Sequence, residues 1–207
     1  MSQFLAIHPD NPQKRLVRTA VSIVRRGGVI VYPTDSCYAL GCHIGDKGAM
    51  TRMARIRAID KTDNFTLVCR DLSDLVTYAR VDNSVYRVLR AHTPGPYTFI
   101  LRATAEVPRR LQNPKRKTIG LRVPQHNIVS ALLEELGEPI LSSTLRLPGD
   151  ELPMTDPIEM RERLEHVVDL VIDGGSCGVE QTTVVSFESG TAELIRAGRG
   201  DVTAFVD

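Results

Sequence analysis

Short apolar runs alternate with segments of helical periodicity along nearly the whole chain, and this alternation constrains the fold more than any other feature. The apolar runs that predict strands are residues 29–32, 65–69, 97–101, 118–123, 140–144, 167–172, 183–187 and 192–196. The periodic segments that predict helices are residues 12–26, 47–58, 72–79, 83–91, 126–136 and 157–165. This pattern predicts an α/β fold in which helices flank a mixed β-sheet.

No linker, repeat or low-complexity segment interrupts the pattern, so we predict one domain over residues 11–200 and no second domain. Residue types at the predicted helix starts support these boundaries. Asn11 followed by Pro12 is typical of a helix start, and so are Asp46 and Asp156.

The charge of the chain is nearly balanced but is skewed toward arginine. The net charge is +1, and 21 of the 26 basic residues are arginine. The planar guanidinium group suits phosphate recognition. A genome rich in G and C would also favour arginine codons, so only the positions of the arginines can decide between these explanations.

The sequence excludes several classes of protein. No apolar run approaches the ~18–20 residues of a membrane span, and the start of the chain lacks the pattern of a signal peptide, so we expect a cytoplasmic location. Cys37, Cys42, Cys69 and Cys177 form no C-x-x-C pair, which predicts reduced thiols. His43 lies beside Cys42, but a further ligand at zinc-like spacing is missing, and we predict no metal site.

Nucleotide-binding and hydrolase motifs are also absent. The sequence contains no P-loop, no G-x-G-x-x-G after a strand, no G-x-S-x-G and no H-E-x-x-H. Polar segments at predicted strand ends remain as candidates, although each alone is typical of an ordinary turn or a solvated surface. These segments are 33–38, 55–57 with Lys61, 94–98, Arg122, 142–146, 182–183, Arg196 and Arg199.

Taken in order, these segments resemble the YrdC/YciO family, whose best-characterised members are threonylcarbamoyl-AMP synthases of tRNA modification. The family's strand-PTD[TS]-x-Y-[AG]-L opening is matched by residues 29–40, and its PGPxT and RVP motifs by 94–98 and 122–124. Its terminal TV and R-x-G elements are matched by 183–184 and 196–198. The resemblance covers nearly the whole chain and is greatest to the YciO branch.

The resemblance implies a twisted mixed sheet with a concave basic surface that binds a nucleotide, with double-stranded RNA or tRNA as a further expected partner. It assigns Arg55, Arg57, Thr144 and Arg146 to catalysis. It assigns the following residues to substrate or nucleotide binding: Thr34, Tyr38, Lys61, Thr98, Arg122, Ser143, Thr183, Arg196 and Arg199. ATP and Mg²⁺ would then be substrate and ion, without a tightly bound cofactor.

Two segments depart from the synthase pattern. The synthases resemble one another in a Lys-x-Arg pair and a Ser-Thr-Ser-Ala-Asn run, whereas this chain has Arg55-Ile56-Arg57 and Ser142-Ser143-Thr144-Leu145-Arg146. Arg146 replaces a neutral amide with a bulky cation. An error of ~1 Å in positioning can cost ~10²-fold in rate. We therefore expect weak or absent synthase activity.

Two alternatives stay open beside the enzyme. A module that binds double-stranded RNA or tRNA without chemistry would use basic clusters such as 109–110 and 115–117. The scaffold could instead serve an unrelated small anionic ligand. The oligomeric state is open in each case.

Overall fold

The structure is a computed structural model that describes residues 1–58 and 65–206. Its strands are β1 (Gln3–Ala6), β2 (Ile30–Tyr32), β3 (Ala39–His43), β4 (Thr66–Val68), β5 (Tyr97–Arg102), β6 (Thr118–Arg122), β7 (Ile140–Thr144), β8 (Leu170–Asp173), β9 (Thr183–Ser186) and β10 (Glu193–Arg196). Its α-helices are α1 (Lys14–Arg25), α2 (Lys47–Arg57), α3 (Leu72–Tyr78), α4 (Asn83–His92), α5 (Asn127–Leu136) and α6 (Pro157–Leu164). One 3₁₀ turn spans Arg109–Leu111.

The strands form one mixed sheet in the order β1-β8-β2-β3-β7-β4-β6-β5-β9-β10. Parallel pairs such as β4 with β6 and β5 with β9 alternate with antiparallel pairs such as β3 with β7. The predicted single-domain α/β fold with a mixed sheet is therefore confirmed.

The two faces of the sheet are covered unequally. On one face, α2, α3, α4 and α6 contribute Met53, Leu75, Leu89 and Met160 to a core cluster that extends across the sheet. On the other face, α1 and α5 pack against each other over a smaller cluster, which takes its strand residues from β2, β3, β4, β7 and β8. Within the described residues, no side chain of β5, β6 or β9 joins this smaller cluster, so half of that face is left open.

Local residue preferences explain most helix ends. The carboxylate of Asp46 accepts a hydrogen bond from the Ala49 N–H, and that of Asp156 accepts one from the Ile158 N–H. These two predicted caps are confirmed. The predicted start at Asn11 and Pro12 is wrong, because α1 begins at Lys14 with Gln13 as its cap residue. The Asn11 N–H instead donates to His8 Nδ1, which closes a turn before the helix.

Two strands were not predicted. β1 lies before residue 11, the predicted start of the domain, and pairs in parallel with β8. β3 lies antiparallel between β2 and β7, where four of its five residues are buried. Burial on both faces removes the polar and apolar alternation that would identify a strand.

Candidate functional site

A cavity of about 700 Å³ lies over the open half of the sheet. Its floor consists of side chains that alternate along the strands, as the pleat requires. In β5, Thr98 and Ile100 line the cavity, whereas Phe99 and Leu101 point into the larger core cluster. The cavity exists because short or polar side chains occupy the face that no helix covers.

Gly120 in β6 keeps part of this floor low. A Cβ atom at this position would lie 3.2 Å from Oγ1 of Thr66 and 3.3 Å from Cγ2 of Thr98. Larger side chains here would rise into the cavity, so its depth depends on this glycine.

Four arginines line the cavity, and they come from separate parts of the fold. They are Arg57, Arg122, Arg146 and Arg196. No Asp or Glu is among the described residues that line it. Several cations around a polar cavity whose described lining contains no carboxylate favour an anionic ligand.

Arg57 is held at the point where α2 ends. Its Nε donates a hydrogen bond of 3.2 Å to the hydroxyl of Ser143, and its Nη1 donates to the carbonyl of Arg146. Ala58 then adopts a left-handed conformation with φ of 49°. The Arg57 side chain is therefore tied to β7 and to the loop that follows it.

Arg122 is the most deeply buried of the four arginines, with 7% of the residue exposed. Its Nη2 donates to Oδ1 of Asp35 and, at 3.3 Å, to the hydroxyl of Ser36. Within the described part of the chain its buried Nε has no hydrogen-bond partner. Such a group is rare unless a ligand or water binds it.

Arg196 borders the cavity from β10. Its guanidinium donates to the carbonyl of Thr182 through Nε at 3.2 Å and through Nη2 at 2.9 Å, and its Nη1 donates to Oε1 of Gln181 at 2.8 Å. The hydroxyl of Thr182 lies 2.8 Å from that of Thr98. This network links the cavity floor to the arginine.

The structure thus brings seven of the assigned residues together at the cavity. They are Arg57, Thr98, Arg122, Ser143, Thr144, Arg146 and Arg196. Lys61 lies outside the described residues.

Three assigned residues use their hydroxyls inside the protein and are not among the residues that line the cavity. The hydroxyl of Thr34 donates to the carbonyl of Cys37 at 2.6 Å. The hydroxyl of Tyr38 donates to the carbonyl of Gly175 at 2.6 Å. That of Thr183 donates to the carbonyl of Gly200, also at 2.6 Å. In this structure these hydroxyls fix loops.

Two assigned arginines also lie outside the lining. Arg55 and Arg199 are both exposed, and neither is among the lining residues. Arg55 and Arg57 are two positions apart on α2, and residues at this spacing point in different directions on a helix. Only Arg57 of this pair faces the cavity.

Several lining residues were missed by the sequence analysis. They include Thr66, Thr118, Gly120 and Gln181. The available signal was the small or polar residue at alternate positions of runs that are otherwise apolar, as at 118 and 120 of β6. The signal is weak, because short β-branched residues such as threonine are also ordinary in strands.

The four cysteines are free thiols, and Cys37, Cys42 and Cys69 are buried. Burial raises the pKa of Cys42 to about 12 and that of Cys37 to about 11. His43 beside Cys42 pairs with Glu138 at 2.8 Å. Within residues 1–58 and 65–206, no group of three His, Cys, Asp or Glu side chains is placed to hold a metal ion. No helix in the same ranges is long and apolar enough to cross a bilayer.

The fold and the cavity together define a single-domain α/β protein whose half-covered mixed sheet carries an arginine-lined site. The chain belongs to the Sua5/YciO/YrdC family, since the family model described as "Telomere recombination" matches residues 22–198.

Individual relatives agree with this assignment. The chain is 59% identical to the uncharacterised protein YciO of Escherichia coli K12 over 206 residues, which is 100% of both chains. It is 31% identical to a threonylcarbamoyl-AMP synthase of Xanthomonas campestris over 180 residues, or 86% of this chain and 95% of the relative.

Solved structures share the fold. The crystal structure of E. coli YciO superposes with a TM-score of 0.96 and complete coverage of both chains. P. abyssi Sua5 in complex with L-threonine superposes with a TM-score of 0.87 at 22% identity, over 95% of this chain and 58% of that one.

Proposed function

We propose that the cavity binds the phosphates of ATP together with threonine and that the chain is a diverged threonylcarbamoyl-AMP synthase with low turnover. The observation that carries this proposal is the ring of four arginines around one cavity. The hydroxyls of Thr98, Ser143 and Thr144 lie in the same cavity and can donate to phosphate or carboxylate oxygens.

The proposed reaction concentrates negative charge in this cavity. Threonine and bicarbonate form a carbamate and water. A carbamate oxygen then bonds to the α-phosphorus of ATP while the bond to the β-phosphate oxygen breaks, and pyrophosphate leaves. Fixed cations stabilise the charge that develops on the transferring phosphate. Mg²⁺ would enter with the triphosphate, whose oxygens are its preferred ligands.

Arg57 and Arg122 are the best-positioned cations for this work. Arg57 is fixed by Ser143 and by the backbone at residue 146, so its charge needs little reorganisation. Arg122 offers a buried N–H without a partner among the described residues. We assign Arg122 to the carboxylate of threonine or to a phosphate.

The low turnover follows from the two departures in sequence. Arg55 is exposed and does not line the cavity. The first position of the Lys-x-Arg pair therefore contributes little to the binding of phosphate in this conformation. Arg146 lines the cavity with a longer, cationic side chain where the synthase pattern has the short neutral amide of asparagine. A misplaced cation stabilises the phosphate oxygens of bound ATP as much as those of the transition state, and such binding does not raise kcat.

The decisive experiment measures pyrophosphate release by the purified protein with ATP, Mg²⁺, threonine and bicarbonate, each omitted in turn. Release that requires all four, together with mass-spectrometric detection of threonylcarbamoyl-AMP, supports the proposal. If calorimetry detects ATP binding but no pyrophosphate is released, the protein binds nucleotides without synthase activity. If ATP does not bind, the cavity is not a nucleotide site.

Binding of double-stranded RNA is the second candidate, and one surface favours it. Arg15, Arg18 and Arg26 line a shallow groove along α1, and cations spaced along a helix suit a phosphate backbone. The loop clusters are less available, because Arg110 donates to the carbonyls of residues 44 and 45 and Arg116 pairs with Glu188. RNA affinity should fall steeply with salt and should be lost in Arg15→Glu/Arg26→Glu.

A further inference from the structure

A second cavity of about 490 Å³ lies at the carboxyl ends of β4 and β6. It shares no lining residue with the first cavity among the described residues. Its walls are the start of α3, the outer face of α4 and the segment that enters α5, which runs from Val123 to Asn127. The ends of parallel strands are where α/β sheets commonly bind ligands.

The charge on its walls is positive. Arg90 of α4 lines the cavity and makes no ion pair or hydrogen bond with any residue that the structure describes. Arg70 lines it too and pairs with Asp71 at 3.1 Å. Asp71 also caps α3, because its other carboxylate oxygen accepts a hydrogen bond of 2.8 Å from the Asp74 N–H. Arg90 is thus an exposed cation at the cavity wall that pairs with no described carboxylate.

The start of α5, beside the same cavity, has groups without a hydrogen-bond partner among the described residues. His126, at the N-cap of α5, makes no capping bond, and the first turn of that helix contains no acidic residue. Its Nδ1 is buried and has no partner among the described residues. The first N–H groups of a helix lack partners within the helix and attract anions.

Tyr86 adds an apolar ring. It lines the cavity one helical turn before Arg90 on α4, and 41% of the residue is exposed. A nucleobase can stack on an exposed aromatic ring while its phosphate binds a neighbouring arginine that has no partner among the described residues.

We propose that this second cavity binds a nucleoside monophosphate unit, with its base on Tyr86 and its phosphate between Arg90 and the start of α5. The unit can be a free nucleotide or one residue of an RNA strand, because the groups recognised are the same. This inference does not depend on the function proposed for the first cavity.

The two cavities are joined through one side chain. Asp35 pairs with Arg122 of the first cavity, and its Oδ2 accepts a hydrogen bond of 2.8 Å from the N–H of Gln125, which lines the second cavity. A ligand that orders the entry to α5 would therefore also fix the carboxylate that orients Arg122.

The test uses photolabelling with 8-azido-AMP, followed by peptide mapping of the full chain. We expect label on the peptide that contains Tyr86 and competition by AMP. Arg90→Glu should reduce this label at least tenfold, whereas Arg87→Glu, the same charge change on an exposed position of the same helix outside the cavity, should not. Arg57→Ala should leave this label intact, which separates the second cavity from the first.

A second arm distinguishes the two sources of the nucleotide. A short RNA hairpin that competes for the label more than tenfold better than AMP identifies an RNA strand, and the reverse order identifies a free nucleotide. The proposal is overturned if the Tyr86 peptide is not labelled, or if Arg90→Glu and Arg87→Glu are labelled alike.

Discussion

Arg122 and Asp35 form an ion pair that is nearly removed from solvent, with side-chain exposures of 8% and 9%. They are 87 positions apart in sequence. The pair joins Asp35, in the turn after β2, to an arginine that lines the cavity. The Nε of this arginine has no hydrogen-bond partner among the described residues. Asp35 is therefore a positioning residue for Arg122.

Removing one partner of this pair should cost more than removing both. Asp35→Asn leaves a buried guanidinium without its counter-charge, so we expect a loss of about 3–5 kcal/mol in the free energy of unfolding. Asp35→Asn/Arg122→Met should recover part of this loss. Urea denaturation of the single and double variants measures it, and purely additive effects would contradict a coupled pair.

Arg57 and Arg55 should differ in their effect on ATP binding. Arg57→Ala removes a cation that lines the cavity, and a charged hydrogen bond is worth about 1.5–3 kcal/mol, so calorimetry should show ATP binding at least roughly tenfold weaker. Arg55→Ala, an exposed neighbour on the same helix, serves as the matched control and should bind as the wild type does. An equal loss of ATP affinity in Arg57→Ala and Arg55→Ala would show that the phosphates do not bind at Arg57.

Arg146→Asn should raise pyrophosphate release. The substitution exchanges a cavity cation for the neutral amide that the synthase pattern carries at this position, and therefore improves the match to the transition state. We expect kcat to rise at least severalfold with threonine and bicarbonate present. Arg55→Lys alone should leave kcat unchanged, because residue 55 does not line the cavity. A fall in kcat for Arg146→Asn would assign Arg146 a catalytic role of its own.

Tyr38→Phe should affect stability rather than binding. The phenol donates to the Gly175 carbonyl and accepts from the Gly174 N–H at 3.2 Å, so its removal leaves two backbone groups without their partner. A cost of about 1–3 kcal/mol is expected in the free energy of unfolding. Threonine and ATP affinities should not change. If Tyr38→Phe bound threonine more weakly at unchanged stability, Tyr38 would instead be a substrate-binding residue.

His126 should make stability depend on pH below neutrality. Burial lowers the pKa of His126 below its ordinary value of 6.5. Above pH 6.5 the ring is neutral in both states, but as the pH falls the unfolded chain takes up the proton first. The free energy of unfolding should therefore decrease from about pH 6.5 down to the folded-state pKa.

Denaturation at pH 7.5 and 5.5 measures this decrease. His126→Gln should show a smaller decrease than the wild type over the same interval. An identical decrease in both proteins would assign the pH dependence to other groups.

Local interactions explain why so much of the fold was predictable. Asp46 and Asp156 cap helices through bonds to residues two or three positions away, so sequence proximity alone reveals them. The family was likewise identified from the order of short motifs such as residues 94–98 and 122–124, which needs no geometry. The cavity arginines Arg122 and Arg196 were found in this way.

The amino-acid sequence alone was therefore sufficient to predict the alternation of strands and helices, two helix caps and the family. Only the tertiary structure decided which polar groups meet. Thr34, Tyr38 and Thr183 belong to matching motifs, yet their hydroxyls bind backbone within the protein. Tyr38 packs into the larger core cluster, whereas the cavity lies over the half of the sheet that α1 and α5 leave uncovered, and such long-range packing has no local signature in the sequence.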